Sequence, residues 1–266
     1  MGKPQKENQA IRGILFDIDG VLEYQGRAYP GAVEALAGLR ERGVALRFLT
    51  NSTLKSRASC AAKLRQRGFG AAEAEVVTAS YATAAYLRRL QPKSIWLMLR
   101  REGRDEFREF EQDETDPEYV VVGDFRDGFD FQHLNHALRL LAQGAGLIGM
   151  QNEQVDGSLG DLELNVGAWV GMLERASGVQ ATYIGKPFPF AFELALDSLD
   201  ISREEVVVVG DRVATDILGA KNVGLRSILM KTGEFHPANL AGEIQPDWIL
   251  EDIRELPGLL ASLDGG

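Results

Sequence analysis

The sequence predicts an α/β fold: a doubly wound parallel sheet, Rossmann-like, with a second, smaller α/β domain inserted into it. Three observations predict it. Short apolar runs alternate with segments of helical periodicity from Gly13 onward, a pattern that sets parallel strands between helices. The strongest run, Val206 to Val209, is four consecutive valines, as expected of a strand covered on both faces. Between about residues 81 and 183 the alternation changes character yet keeps strand and helix segments of its own. The expected division is a main domain over 1–80 and 184–266 and an inserted domain over 81–183.

Gly13 to Ile18 is an apolar run ending in an acidic loop, and Glu34, Ala35, Leu36, Leu39 and Arg40 follow with helical spacing. Val44 to Leu49 reads as the next strand, and Ser56 to Arg67 as a helix stopped by Gly68. Val76 and Val77 form a short run before a helix over Ala82 to Leu90. In the inserted segment, Ser94 to Leu99 and Tyr119 to Val122 read as strands around a charge-rich, irregular stretch from Gly103 to Pro117. Phe131 to Ala142 is helical, Gly146 to Met150 a strand, Gln151 to Asp161 a polar loop and Val166 to Ala176 a helix. The first pattern resumes at Ala181 with a short strand over Thr182 to Ile184. Pro189 opens a helix to Leu199, since proline is tolerated in a first turn. After the valine run come a helix over Ala214 to Lys221, a strand over Leu225 to Met230, and the closing segments Trp248 to Leu250 and Ile253 to Leu263. Trp96, Trp169 and Trp248 lie in apolar patterns and are expected in the core. No long Gly/Ser/Pro stretch is present, so linkers are short.

Composition narrows the function. The chain has 266 residues, 45% of them hydrophobic, and a formal net charge of −10. An acidic balance argues against nucleic acid as a partner, because phosphate backbones need basic stripes. It also repels anionic substrates at long range, so phosphate chemistry would depend on a metal and a few placed cations. No run approaches the roughly 20 apolar residues that span a membrane. Met1 to Ala10 is polar and mixed in charge, lacks the apolar stretch of a secretory signal, and is expected to be a frayed lead-in. The single cysteine, Cys60, stands among Ala58, Ala61, Ala62 and Leu64 and is expected to be a small buried hydrophobe, with no activating partner in view. A cytoplasmic location fits.

The strongest chemical signal is Phe16-Asp17-Ile18-Asp19-Gly20-Val21-Leu22. It sets two carboxylates at the C-terminal end of an apolar strand, where open α/β sheets bind ligands. Residues i and i+2 of extended backbone point the same way, so Asp17 and Asp19 can face one reacting atom. An ionised nucleophile raises the pKa of its neighbour, which then suits general-acid work; both also suit a hard divalent cation. A calcium loop would carry its glycine at position six, whereas Gly20 is fourth; a solvated acidic turn is the plainer alternative for the tetrad alone. Thr50-Asn51-Ser52 ends a strand in small hydrogen-bonding residues, suited to phosphoryl oxygens or to an ordinary turn. Gly185-Lys186-Pro187 puts a cation past a short strand, where a lysine is usually solvated. Gly210-Asp211-Arg212-Val213-Ala214-Thr215-Asp216 follows the valine run. Asp216 there could simply complement a helix dipole, while Asp211 beside Asp17 would make an acidic pocket that a cation resolves. His133 and His136 stand three apart on a helix; with no third ligand in view they are expected on a solvated face.

In this order the four segments resemble the phosphatases of the haloacid dehalogenase superfamily, in the subclass with a large α/β cap between the second and third motifs. Its members include 4-nitrophenylphosphatase-like, phosphoglycolate-phosphatase-like and nucleotide-phosphatase-like enzymes. The resemblance covers nearly the whole chain and implies the following roles. Asp17 attacks phosphorus and forms an aspartyl-phosphate; Asp19 protonates the leaving oxygen and then deprotonates the hydrolytic water. Mg²⁺ is held by the Asp17 carboxylate, the Asp19 carbonyl and Asp211, with Asp216 acting through water. Thr50 and Lys186 hold the phosphoryl group and Asn51 adds backbone contacts. Arg57 either binds substrate or pairs on its helix. Gln151 and Asn152 follow Met150, where the family's substrate loop lies, and are candidates to contact the leaving group; exposed loop polarity is the alternative. Gln151 to Asp156 carries no subgroup's aromatic or basic signature, and Asn165-Val166-Gly167-Ala168 stands where relatives often carry two glycines. The implied partner is a small phosphorylated metabolite, and a homodimer through the cap is the assembly relatives often form. Hydrolysis of pyrophosphate or P–N bonds, a phosphomutase and a non-catalytic phosphometabolite-binding protein are the alternatives. The intact set Asp17, Asp19, Thr50, Lys186, Asp211 and Asp216 argues against the last.

Overall fold

The computed structural model describes residues 10–157 and 161–264; the lead-in expected at Met1 to Ala10 lies, but for Ala10, outside the described residues. In chain order the strands are β1 (Gly13–Phe16), β2 (Glu23–Tyr24), β3 (Arg27–Ala28), β4 (Ala45–Thr50), β5 (Val76–Thr78), β6 (Ile95–Met98) and β7 (Tyr119–Val122). They continue with β8 (Gly146–Gly149), β9 (Val155–Asp156), β10 (Glu163–Leu164), β11 (Ala181–Tyr183), β12 (Val206–Gly210), β13 (Arg226–Met230) and β14 (Trp248–Leu250). The chain forms two compact units: one of Met1–Leu49, Lys63–Glu75 and Phe192–Gly266, the other of Thr50–Ala62 and Val76–Ala191.

In the first unit, parallel strands run in the order β14-β13-β12-β1-β4. β1 is buried throughout, with Phe16 opposite Val209 on one side and Phe48 on the other. The valine run of β12 is buried along its whole length, as its unbroken apolar character predicts. The helix Ala32–Glu41 turns Ala32, Ala35, Leu36 and Leu39 inward, the i, i+3, i+4 spacing of an amphipathic helix. The segment expected to be helical from Ala214 opens instead as a π-helical turn, Val213–Ile217, and becomes α-helical only over Leu218–Asn222. Trp248 is half-buried on the edge strand β14 rather than in the core.

The second unit has its own parallel sheet, β11-β8-β7-β6. Helices Phe131–Ala142 and Val166–Ser177 cover a cluster that includes Trp96, Val120, Leu140, Leu147, Val170 and Leu173. The fold class is therefore α/β, as the alternation predicts. Three expectations change. The short strand read over Thr182 to Ile184 spans Ala181–Tyr183 and pairs with β8, so the first sheet does not resume there. The stretch read as irregular from Gly103 begins within a 3₁₀ helix, Arg101–Phe107, held where the Gly103 N–H donates to the Leu54 carbonyl at 2.9 Å. Trp169 is half-buried and stacks on Phe129 at 4.8 Å. His133 and His136 stand on the face expected to be solvated, with the His133 side chain 42% exposed. His133 bonds Asp130 at 2.9 Å and His136 meets the Glu114 carbonyl at 2.6 Å. Cys60 is buried, as expected.

One ion pair braces the first unit. Arg40 donates through both terminal nitrogens to Glu75, at 2.6 and 2.8 Å. Burial pushes the Glu75 carboxyl up, but the Arg40 bonds and the Ala72 amide outweigh it, and the net shift is downward from 4.5. A carboxyl whose folded pKa is depressed adds stability above its unfolded value and loses it as pH falls through the folded one. Glu75→Gln should therefore cost about 1–3 kcal/mol at neutral pH, with the gap to wild type closing on acidification below 4.5. Urea denaturation of both proteins across pH measures this; a gap that does not change with pH contradicts it.

Candidate active site

In the first unit the acidic loop leaves β1 with the Asp17 N–H donating to the Val209 carbonyl of β12 at 2.8 Å. Asp17 thus sits beside Gly210 and Asp211 at the C-terminal edge of two adjacent strands. The loop closes on itself: Gly20 N–H donates to the Glu23 carbonyl at 2.7 Å, and Leu22 N–H to that of Ile18 at 2.9 Å. Buried Glu23 pairs with Arg67, tying the following hairpin to the framework. Gly20 has φ +92°, and a Cβ there would run into the Asp211 carboxylate, so both its conformation and its lack of a side chain are required.

Asp17, Asp211 and Asp216 come together: one carboxylate oxygen from each lies within 4.8 Å of the others, and all three residues are buried. A backbone amide holds each one. Ile18 N–H donates to Asp17 Oδ1 at 2.8 Å, Glu234 N–H to Asp211 Oδ2 at 2.7 Å and Arg212 N–H to Asp216 Oδ2 at 3.1 Å. The π-helical turn carries Asp216 back against Gly210; such turns recur at functional sites. Burying three like charges is unfavourable unless a cation joins them, and an all-oxygen donor set fits a hard divalent ion. Asp19, by contrast, is exposed and its side chain is not in this cluster.

The second unit holds the remaining expected residues. Lys186 is 3% exposed, which overturns the solvated reading for this lysine. Asn51 grips its backbone twice: Lys186 N–H donates to Asn51 Oδ1 at 2.8 Å, and Asn51 Nδ2 donates to the Lys186 carbonyl at 3.0 Å. The side chain of Asn51 is thus a clamp on the lysine. Thr50 is buried, and its Oγ1 accepts from Ser52 N–H at 3.1 Å. Arg57 lies over the Tyr81 ring at 3.8 Å and donates from Nε to the Val76 carbonyl at 2.9 Å. Gln151 is 2% exposed, donates to Asn165 Oδ1 at 2.6 Å and accepts from Glu153 N–H. It braces the loop, and exposed polarity does not describe it. Asn152 is half-buried, with its carbonyl against Gly167.

Sequence reading missed Tyr29 and the segment Thr232-Gly233-Glu234. Tyr29 Oη accepts from Gly233 N–H at 3.0 Å; burial pushes its hydroxyl pKa up, and Asp211 adds to the rise. The available signal was a Thr-Gly pair two residues past β13, in the place where the other strands carry their motifs.

The sequence matches the family described as haloacid dehalogenase-like hydrolase over residues 14–112, and that described as HAD-hydrolase-like over 183–256. It is 33% identical over 259 residues to the phospholysine phosphohistidine inorganic pyrophosphate phosphatase of Bos taurus, covering 94% of each chain. It is 36% identical to the human haloacid dehalogenase-like hydrolase domain-containing protein 2, covering 87% of this chain and 88% of that one. This chain belongs to the haloacid dehalogenase-like hydrolases. Among solved structures of such hydrolases, it resembles a 4-nitrophenylphosphatase from Thermotoga maritima with a TM-score of 0.88 and 28% identity, covering 93% and 97% of the two chains. It resembles NagD from E. coli K-12 with a TM-score of 0.85 and 29% identity, covering 93% and 98%.

In this hydrolase the Asn51 clamp is measurable apart from turnover. Asn51→Ala removes a donor and an acceptor from the backbone of a buried lysine and should cost about 2–3 kcal/mol of stability. Asn51→Asp keeps the acceptor for Lys186 N–H but sets a carboxylate oxygen against the Lys186 carbonyl and the Glu153 carboxylate, to which Asn51 Nδ2 donates at 3.0 and 3.3 Å, and should cost at least as much. Urea denaturation of the two variants decides this; an Asn51→Ala as stable as wild type contradicts the two-point clamp.

Proposed function

We propose that this hydrolase is a magnesium-dependent phosphatase that cleaves small phosphomonoesters through an aspartyl-phosphate on Asp17. The observation that carries the proposal is the buried trio Asp17, Asp211 and Asp216, with the exposed carboxyl of Asp19 two residues from the first. One oxygen of Asp17 attacks phosphorus as the bond to the leaving oxygen breaks, and Asp19 gives that oxygen a proton. Water then attacks phosphorus, Asp19 takes its proton, and the bond to Asp17 breaks to release phosphate. Thr50 and Lys186 supply the hydroxyl and ammonium that hold the phosphoryl oxygens. The three aspartates would hold Mg²⁺, which when bound supplies charge neutralisation at the phosphoryl group. The acidic net charge of −10 makes such local neutralisation the main route by which an anionic substrate is accepted.

Within this proposal the segment 81–183 is the inserted cap, the partner is a small phosphorylated metabolite rather than nucleic acid, a homodimer forms through the cap, and the setting is the cytoplasm. Among the described residues no helix is long and apolar enough to cross a membrane. The name of the bovine relative, with 33% identity over 94% of the chain, favours pyrophosphate and P–N substrates as the second reading of the same site.

Asp17→Asn should lose at least about 10³-fold in Mg²⁺-dependent turnover of 4-nitrophenyl phosphate, while Lys186→Ala keeps a larger residue of activity. Equal turnover by wild type and Asp17→Asn would sink the nucleophile assignment. Pyrophosphate and phospholysine in the same assay separate the two substrate readings.

A further inference from the structure

The turn after β13 makes three bonds into the acidic site. Thr232 Oγ1 donates to the Gly20 carbonyl at 2.5 Å, Gly233 N–H to Tyr29 Oη at 3.0 Å, and Glu234 N–H to Asp211 Oδ2 at 2.7 Å. Phe235 N–H closes the turn on the Thr232 carbonyl at 3.0 Å. Glu234 also pairs through its side chain with Arg212, the residue after Asp211, at 3.4 Å. Gly233 has φ +58°, and a Cβ there would meet both Asp211 Oδ2 and the Gly20 Cα. The turn therefore touches the acidic loop after β1 and the carboxylate after β12 at once.

We propose that Thr232, Gly233 and Glu234 form a positioning element that sets divalent-cation affinity by aiming Asp211 and fixing the loop at Gly20. The proposal rests on the reading that Asp17, Asp211 and Asp216 hold the cation. A carboxylate rotates about its last bond unless something fixes it, and here a main-chain amide fixes one oxygen while two glycines close the space on that side. Thr232 sets where the Gly20 carbonyl stands, and with it the path of the loop from Asp17 to Glu23. None of the three needs to touch the ion to govern it, as outer partners of metal ligands do elsewhere, with losses of roughly 10–100-fold on their removal.

The test is Mg²⁺ and Mn²⁺ binding by titration calorimetry, with melting temperatures of the metal-free proteins alongside. The proteins are wild type, Asp211→Asn, Gly233→Ala, Thr232→Val and Thr232→Ser. Wild type should bind and Asp211→Asn should not. Gly233→Ala should weaken binding by roughly 10–100-fold and Thr232→Val by a smaller factor, with Thr232→Ser, which keeps the hydroxyl, close to wild type. If Gly233→Ala fails to fold, the Thr232 pair carries the test. Wild-type affinity in a folded Thr232→Val, with Asp211→Asn still defective, overturns the positioning role and leaves the cation site standing. A wild type that binds no cation, or an Asp211→Asn that binds as wild type does, overturns the cation site and the positioning role with it.

Discussion

Three carboxylates buried within 4.8 Å of one another are the constraint on which the first unit depends. Like charges in a low-dielectric setting repel strongly, and each is costly to remove from water. Such a cluster persists only where the backbone around it is too well anchored to let the side chains swing apart. The parallel strands supply that anchorage. β1 is hydrogen-bonded on both flanks, and β12 is buried over all five of its residues. The loops leaving these two strands start from fixed points, and their first residues past the sheet are Asp17 and Asp211.

Main-chain amides do the aiming. Ile18, Arg212 and Glu234 each lend one N–H to one of the three carboxylates, and the three amides come from three different loops. A backbone donor has less freedom than a side-chain donor, so little conformational entropy is spent in ordering the site. The second unit applies the same economy in reverse. There the side chain of Asn51 reads the backbone of Lys186 at both its N–H and its carbonyl, leaving the position of a buried lysine to depend on main-chain geometry.

This division of labour explains what was legible in the sequence. Asp17 and Asp211 stand out because ionisable side chains at the ends of apolar strands are conspicuous, Asp216 follows from its place in the same segment as Asp211, and the unbroken valine run marks β12 as buried. Lys186 is legible as a candidate, but its burial is not, since its backbone partner Asn51 is distant in sequence. The turn at Thr232 to Glu234 was missed because it acts through a hydroxyl, an absent side chain and an amide, and an amide is common to every residue but proline. The π-helical turn escaped for a related reason: residues 213–217 carry no signal that separates it from the α-helix expected from Ala214. The sheet that β11 joins is not legible in the sequence, because parallel pairing joins segments far apart in the chain, and three residues hold too little pattern to choose a partner. Gln151 reads as exposed loop polarity because polarity is the only local signal, while its partners lie 14 and 2 residues away.

The glycines of the site extend the point. Gly20 and Gly233 both stand where a Cβ would strike Asp211, and Gly210 where one would strike Asp216. At these points the carboxylates of Asp211 and Asp216 pack against bare backbone, with the Thr215 hydroxyl beside Asp216 at 3.4 Å. Packing of that kind removes space that water or a rotated carboxylate would otherwise occupy, and it does so with atoms that have no rotamers. A side chain in the same place would either push the carboxylate out of the cluster or move the strand end that carries it. The three aspartates meet where amides of Ile18, Arg212 and Glu234 hold them and where Gly20, Gly210 and Gly233 leave room for the carboxylates of Asp211 and Asp216.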